Sequence, residues 1–81
     1  MLTRQNIIST ISEILEDLLE TRPQDITEET TAADVEGWDS VNHINLVVAL
    51  ELHYGIKFRT AELDEIHRVS DLVTLVLAKL N

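Results

Sequence analysis

The chain has 81 residues, no cysteine, and fifteen acidic against six basic side chains, for a net charge of −9. The missing cysteines exclude disulfides and thiolate metal sites, and the acidic excess repels phosphate backbones, which excludes nucleic acid as a partner class. Ten of the acids lie between Glu13 and Asp39, with Arg22 the only base among them, a distribution that steers the protein towards basic protein surfaces.

So short a chain buries only about 60% of the surface its unfolded form exposes. Its apolar residues, 44% of the total and nearly all aliphatic, suffice for one core. No apolar run approaches a membrane span. Met1-Leu2-Thr3-Arg4-Gln5-Asn6 lacks the apolar stretch of a secretory signal. The expected setting is the cytoplasm. Met1 and the compact length are what a free-standing protein would show.

The first predicted helix carries Ile7, Ile8, Ile11, Leu15, Leu18 and Leu19 at helical spacing. Ser12, Glu13, Glu16, Asp17 and Glu20 fall on its other face. Thr3 is its N-cap, and Pro23 stops it at or before Arg22. Gln24 to Gly37 is a long polar connection, anchored by Ile26 and Val35. Thr31-Ala32-Ala33-Asp34 suits one short helical turn within it. A loop of such length in so small a domain is often functional.

The second helix is predicted from Ser40 to Tyr54. Val41, Ile44, Val47, Val48 and Leu52 define its apolar stripe, flanked by Leu46 and Leu50. Its β-branched content also suits a buried strand, but fifteen residues exceed the usual strand. Gly55 supplies the stop. Ile56-Lys57-Phe58-Arg59 is an extended connector. Thr60 caps a short third helix through Ala61, Leu63 and Ile66. Ser70 caps the last helix, with Asp71 in its first turn and Lys79 in its last, each suited to the helix dipole. Leu72, Val73, Val76, Leu77 and Leu80 form its apolar face. The expected fold is all-α: a small four-helix bundle of three longer helices and one short one, with a long first loop.

The residues that could carry chemistry centre on Ser40. Gly37 allows a sharp turn, Asp39 sets a carboxylate beside the serine, and the helix start offers unpaired N–H groups and the positive end of the dipole. A phosphate ester on Ser40 would sit at that end. His43 is three residues on and shares a helix face with Ser40. A Ser-His hydrolase would also need an oriented base, an oxyanion hole and a concave pocket, for which a bundle of this size has little room. His43 then reads as an exposed polar residue. His43, His53 and His67 lack the paired spacing of a zinc site. The acids before Gly37 lack the oxygen ladder of a calcium loop. No catalytic and no metal-binding residues are expected.

Gly37-Trp38-Asp39-Ser40-Val41 resembles the attachment motif of the acyl carrier proteins and related peptidyl carrier domains. The resemblance extends over the helix order and over Val47-Val48-Ala49-Leu50-Glu51, Phe58, Ile66 and Val69. It implies a single carrier domain over residues 1–81. It implies that Ser40 receives 4′-phosphopantetheine from coenzyme A, with Asp39 as its motif neighbour. The arm's thiol would then carry acyl or aminoacyl groups as thioesters, and the partners would supply all catalysis. Those partners would be a phosphopantetheinyl transferase, a loading ligase, and synthases or transferases with basic surfaces, acting on a monomeric carrier. Val41, Ile44, Asn45 and Glu51 would meet them. Val41, Ile44, Val48 and Leu63 would line an acyl pocket, or simply form core.

Val41 stands where the family usually has leucine. Asn42 and Asn45 stand where carriers of fatty acid synthesis usually have acids, and Glu51 is the only charged residue on the helix. Together with Trp38 this suggests a specialised lipid, secondary-metabolite or aminoacyl pathway. Two other readings stay open on the residues alone: a helical interaction module in which Ser40 is only an N-cap, and a hydrolase using Ser40 and His43.

Overall fold

The computed structural model describes residues 2–20 and 26–80. Its helices are α1 (Arg4–Leu19), α2 (Ser40–Tyr54), α3 (Thr60–Leu63) and α4 (Val69–Leu80), with a 3-10 turn at Ala32–Asp34 before α2. No strand occurs among the described residues. The expected all-α bundle, its long first connection and the bounds of α2 are all present.

Helix α1 packs against both α2 and α4. Ile7, Ile8, Ile11 and Leu15 are its buried face, because a period of 3.6 residues brings them to one side. Thr3 caps it: its hydroxyl accepts the Asn6 N–H at 3.1 Å, and Asn6 Oδ1 accepts the Thr3 N–H at 3.0 Å. At the far end Glu20 takes a left-handed φ of 54° after Leu19. The stop expected at Arg22 and Pro23, and the start of the connection at Gln24, lie outside the described residues. Further on, Ile26 and Val35 pack against the core as anchors of the loop.

The loop also builds the start of α4. Thr30 C=O accepts the Val69 N–H at 2.9 Å, and Glu28 C=O accepts the Ser70 N–H at 3.0 Å. Asp71 accepts from the His67 and Arg68 N–H groups at 2.9 and 3.1 Å. Those N–H groups hold the Asp71 carboxyl below its ordinary pKa, His67 contributing most. Ser70 therefore does not cap α4, which already begins at Val69. The helix's unpaired N–H groups are met by backbone carbonyls that only the folded loop brings there. Arg4 joins the same junction, donating through Nε to Glu28 at 2.8 Å and through NH1 to Thr74 Oγ1 at 3.1 Å.

Thr60 is likewise inside α3 rather than its cap, and Ile66 lies beyond that single turn. Glu62 accepts the Arg59 N–H at 2.7 Å and pairs with Lys79 Nζ at 2.8 Å, which ties α3 to the end of α4. In α4, Val69, Leu72, Val73 and Val76 are buried, while Leu80 is exposed.

The main departure concerns the face that α2 buries. Leu46, Val47 and Leu50 point into the protein. Val41, Ile44, Val48 and Leu52 are 46–81% exposed. Of the expected stripe only Val47 is buried. At about 100° per residue the two sets lie on roughly opposite sides of the helix. Apolar residues run nearly all round α2, so periodicity could not single out one face. The surface of α1 made that choice.

This assignment has a direct test in urea unfolding. Leu50→Ala, at a fully buried position, is expected to cost about 2–5 kcal/mol. Leu52→Ala, two residues on and exposed, should stay within about 0.5 kcal/mol of wild type.

Candidate functional site

The segment from Gly37 to Ser40 turns from the core to the surface within four residues. Gly37 has a φ of +90°, and a Cβ there would sit 3.1 Å from Leu19 Cδ2, so both backbone and space favour glycine. Trp38 is 7% exposed and belongs to the core cluster. Asp39 Oδ1 accepts the Asn42 N–H at 2.9 Å, and Asn42 Nδ2 reaches back to Gly37 C=O at 2.8 Å. These bonds fix the angle at which the loop enters α2.

Asp39, not Ser40, is thus the N-cap of α2. Ser40 is the first helical residue and is exposed. Its hydroxyl makes no hydrogen bond among the described residues. The reading of Ser40 as a cap fails on this geometry, because the Asp39 carboxylate already serves the N–H that a capping serine would take.

His43 is not the exposed residue expected from the sequence. It is half-buried, and its Nδ1 accepts the Trp38 indole N–H at 3.2 Å. The two rings stack at 24°, with centroids 6.0 Å apart. Burial pushes the imidazole below its ordinary pKa, so it is neutral at pH 7. An indole N–H only donates, so Nδ1 must carry the lone pair and Nε2 the proton. Neither nitrogen is then a base for Ser40, which removes the chemical ground for a Ser-His hydrolase. The sequence does hold a trace of this pair: a buried tryptophan needs an acceptor, and His43 is five residues from Trp38.

An open groove of about 540 Å³ begins at Ser40. Ser40, His43 and Ile44 of α2 face Thr60, Leu63 and Asp64 around α3 across it. Ile44 and Leu63 are therefore brought together beside the serine. Val41 and Val48, the other two pocket candidates, are not among its lining residues. Val48 instead lines a separate cleft with Leu52 at the far end of α2. Asn45 is exposed. Glu51 is turned to the connector, where its carboxylate accepts the Phe58 N–H at 2.8 Å. No group of three or more histidine, aspartate or glutamate residues suited to a metal ion occurs among the described residues. None of their helices is long and apolar enough to cross a membrane.

An exposed, unbonded serine at a helix start, opening onto a groove, suits a covalently held arm. Comparisons with known proteins show the family. The family described as "Phosphopantetheine attachment site" matches residues 9–76, and the chain belongs to it. This is a family of carriers rather than catalysts, and its cofactor, covalently attached 4′-phosphopantetheine, is the cofactor of this chain.

The relatives narrow the class to the acyl carrier proteins. The chain is 32% identical to the acyl carrier protein of Thermotoga maritima over 99% of both chains. It is also 32% identical to the meromycolate extension acyl carrier protein of Mycobacterium leprae, over 91% of this chain but 64% of that one. The structure is similar to a holo acyl carrier protein from Geobacter metallireducens, with TM-score 0.81 and 40% identity over 90% of this chain and 84% of the other. It is similar to the Thermotoga maritima structure too, with TM-score 0.85 and 28% identity over 95% and 89%.

The division of labour between Asp39 and Ser40 is measurable. Asp39→Ala should lower unfolding free energy by about 1 kcal/mol through loss of the cap. Ser40→Ala should change it by no more than about 0.5 kcal/mol. A larger loss at Ser40 than at Asp39 would contradict the assignment.

Proposed function

We propose that Ser40 is the attachment point of the phosphopantetheine arm, and that residues 1–81 act as one monomeric carrier domain of a specialised lipid pathway in the cytoplasm. The observation that carries the attachment is the Ser40 hydroxyl, exposed and unbonded at the first position of α2. A phosphopantetheinyl transferase would dock on the carrier and supply the base, since His43 has no free lone pair to offer. Ser40 Oγ would attack the β-phosphate of coenzyme A as its proton passes to that base. The new Oγ–P bond replaces the bond to adenosine 3′,5′-bisphosphate, which leaves. When bound, the arm supplies a thiol on which acyl groups travel as thioesters.

Intact mass reports this directly. Incubation with coenzyme A and a promiscuous transferase should add one phosphopantetheine to the wild type and none to Ser40→Ala. An unmodified wild type, or a modified alanine variant, would sink the reading. Protein isolated from its own host should carry a fatty-acyl mass on the arm, and an aminoacyl mass would redirect the pathway.

Two features support a specialised lipid route. The likeness to a meromycolate extension carrier points towards lipid, and the outward face of α2 lacks acids. Val41 and Ile44 are 67% and 59% exposed, beside the exposed Asn45. Partners would therefore grip an apolar face, while the acids elsewhere steer the approach. Glu51 would lie at the edge of this face, with its carboxylate held by Phe58. The two contributions separate kinetically. Ile44→Asp should raise partner dissociation about tenfold or more, since one buried apolar side chain is worth about 1.5–3 kcal/mol. Added salt should instead slow association. Ile44→Asp leaving dissociation unchanged would remove Ile44 from the interface.

A further inference from the structure

We propose that His43 is a positioning residue for the prosthetic arm, donating its Nε2–H to the phosphodiester that joins the arm to Ser40. This rests on Ser40 being the attachment point.

The placement follows from the helix. Residues three apart share a face, and helical side chains lean back towards the N-terminus. Here the lean is visible: the His43 ring lies against Trp38, Nδ1 3.2 Å from the indole nitrogen. The imidazole is thus drawn back over the segment that ends in Ser40, and both residues line the same groove.

The orientation follows from Trp38. The indole is held in the core with 7% of its surface exposed. Its N–H can only donate, and it occupies Nδ1. That fixes the tautomer and leaves an N–H at Nε2. Nε2 has no hydrogen-bond partner among the described residues. No buried side-chain nitrogen or oxygen among the described residues lacks a partner, so this unpaired N–H is open to the solvent. A phosphodiester oxygen on Ser40 would supply the acceptor.

The electrostatics call for such a donor. A phosphodiester adds a negative charge next to the Asp39 cap, and Asp64 lines the same groove. No lysine or arginine lines that groove. From the α4 side, His67 and Arg68 share a small cavity with Trp38 and His43. His43 lines the groove together with Ser40, and its Nε2–H and the Thr60 hydroxyl are donors on that lining. Loading should therefore favour the imidazolium, which has no counter-anion of this kind in the unloaded protein.

The test uses histidine-labelled protein in apo, holo and Ser40→Ala forms, with loading first confirmed by intact mass. Nitrogen shifts should report the Nε2–H tautomer of His43 in neutral apo protein. His43 should titrate at higher pH in the holo form than in the apo and Ser40→Ala forms, while His53, at the other end of α2, should not move. The phosphorus resonance of the arm should inflect at the His43 midpoint, and His43→Gln should lose that inflection. A His43 midpoint no higher in the holo form, a flat phosphorus shift across it, or the opposite tautomer would overturn the proposal. If His43→Gln fails to fold, the apo-to-holo comparison in the wild type decides alone. Absence of any mass gain would instead strike the attachment at Ser40, so the two failures are distinct.

Discussion

Trp38 has to leave water while Ser40, two residues later, has to stay in it. Burying an indole of about 150–250 Å² is worth about 4–6 kcal/mol, a large share of the stability available to a small domain. That burial pulls the end of the long loop onto the core formed by α1 and α4. Gly37 makes the approach sterically possible, and the Asp39 cap and Asn42 fix the turn into α2. With its neighbour buried and the cap taken by Asp39, Ser40 is delivered to the surface with its hydroxyl unengaged. The accessibility of the Ser40 hydroxyl is thus a consequence of tryptophan packing.

The same packing decides what α2 shows to other proteins. Its core side is set by Leu46, Val47 and Leu50 against α1. Val41, Ile44, Val48 and Leu52 are left outside. A long exposed apolar strip has a cost in solubility, which the net charge of −9 offsets. Acidity and exposed apolar surface are therefore complementary features. On the proposed reading, charge would guide encounters and the strip that begins beside Ser40 would offer the contact.

Much of the architecture was legible in the sequence. The helix order, the bounds of α2, the Thr3 cap and the short turn at Ala32–Asp34 follow from spacing and local chemistry, whose energies act within a few residues. The family resemblance also lay in contiguous residues around Ser40. The misread features share one cause. Ser70 and Thr60 look like caps, but the N–H groups at the start of α4 are satisfied by Glu28 and Thr30 carbonyls some forty residues away, and α3 is closed by Glu62. His43 looks solvated until Trp38 is placed beside it.

The sequence by itself determined an all-α carrier with a serine at the head of its second helix, because helix periodicity and a short motif are local properties of the chain. Tertiary structure alone decided which face of α2 is buried, that Asp39 caps the helix, and that His43 is neutral with its proton on Nε2. Each of these depends on which surface arrives from elsewhere in the chain. A helix apolar on nearly every side has no inward face until α1 supplies one, and an imidazole has no fixed tautomer until Trp38 donates to it.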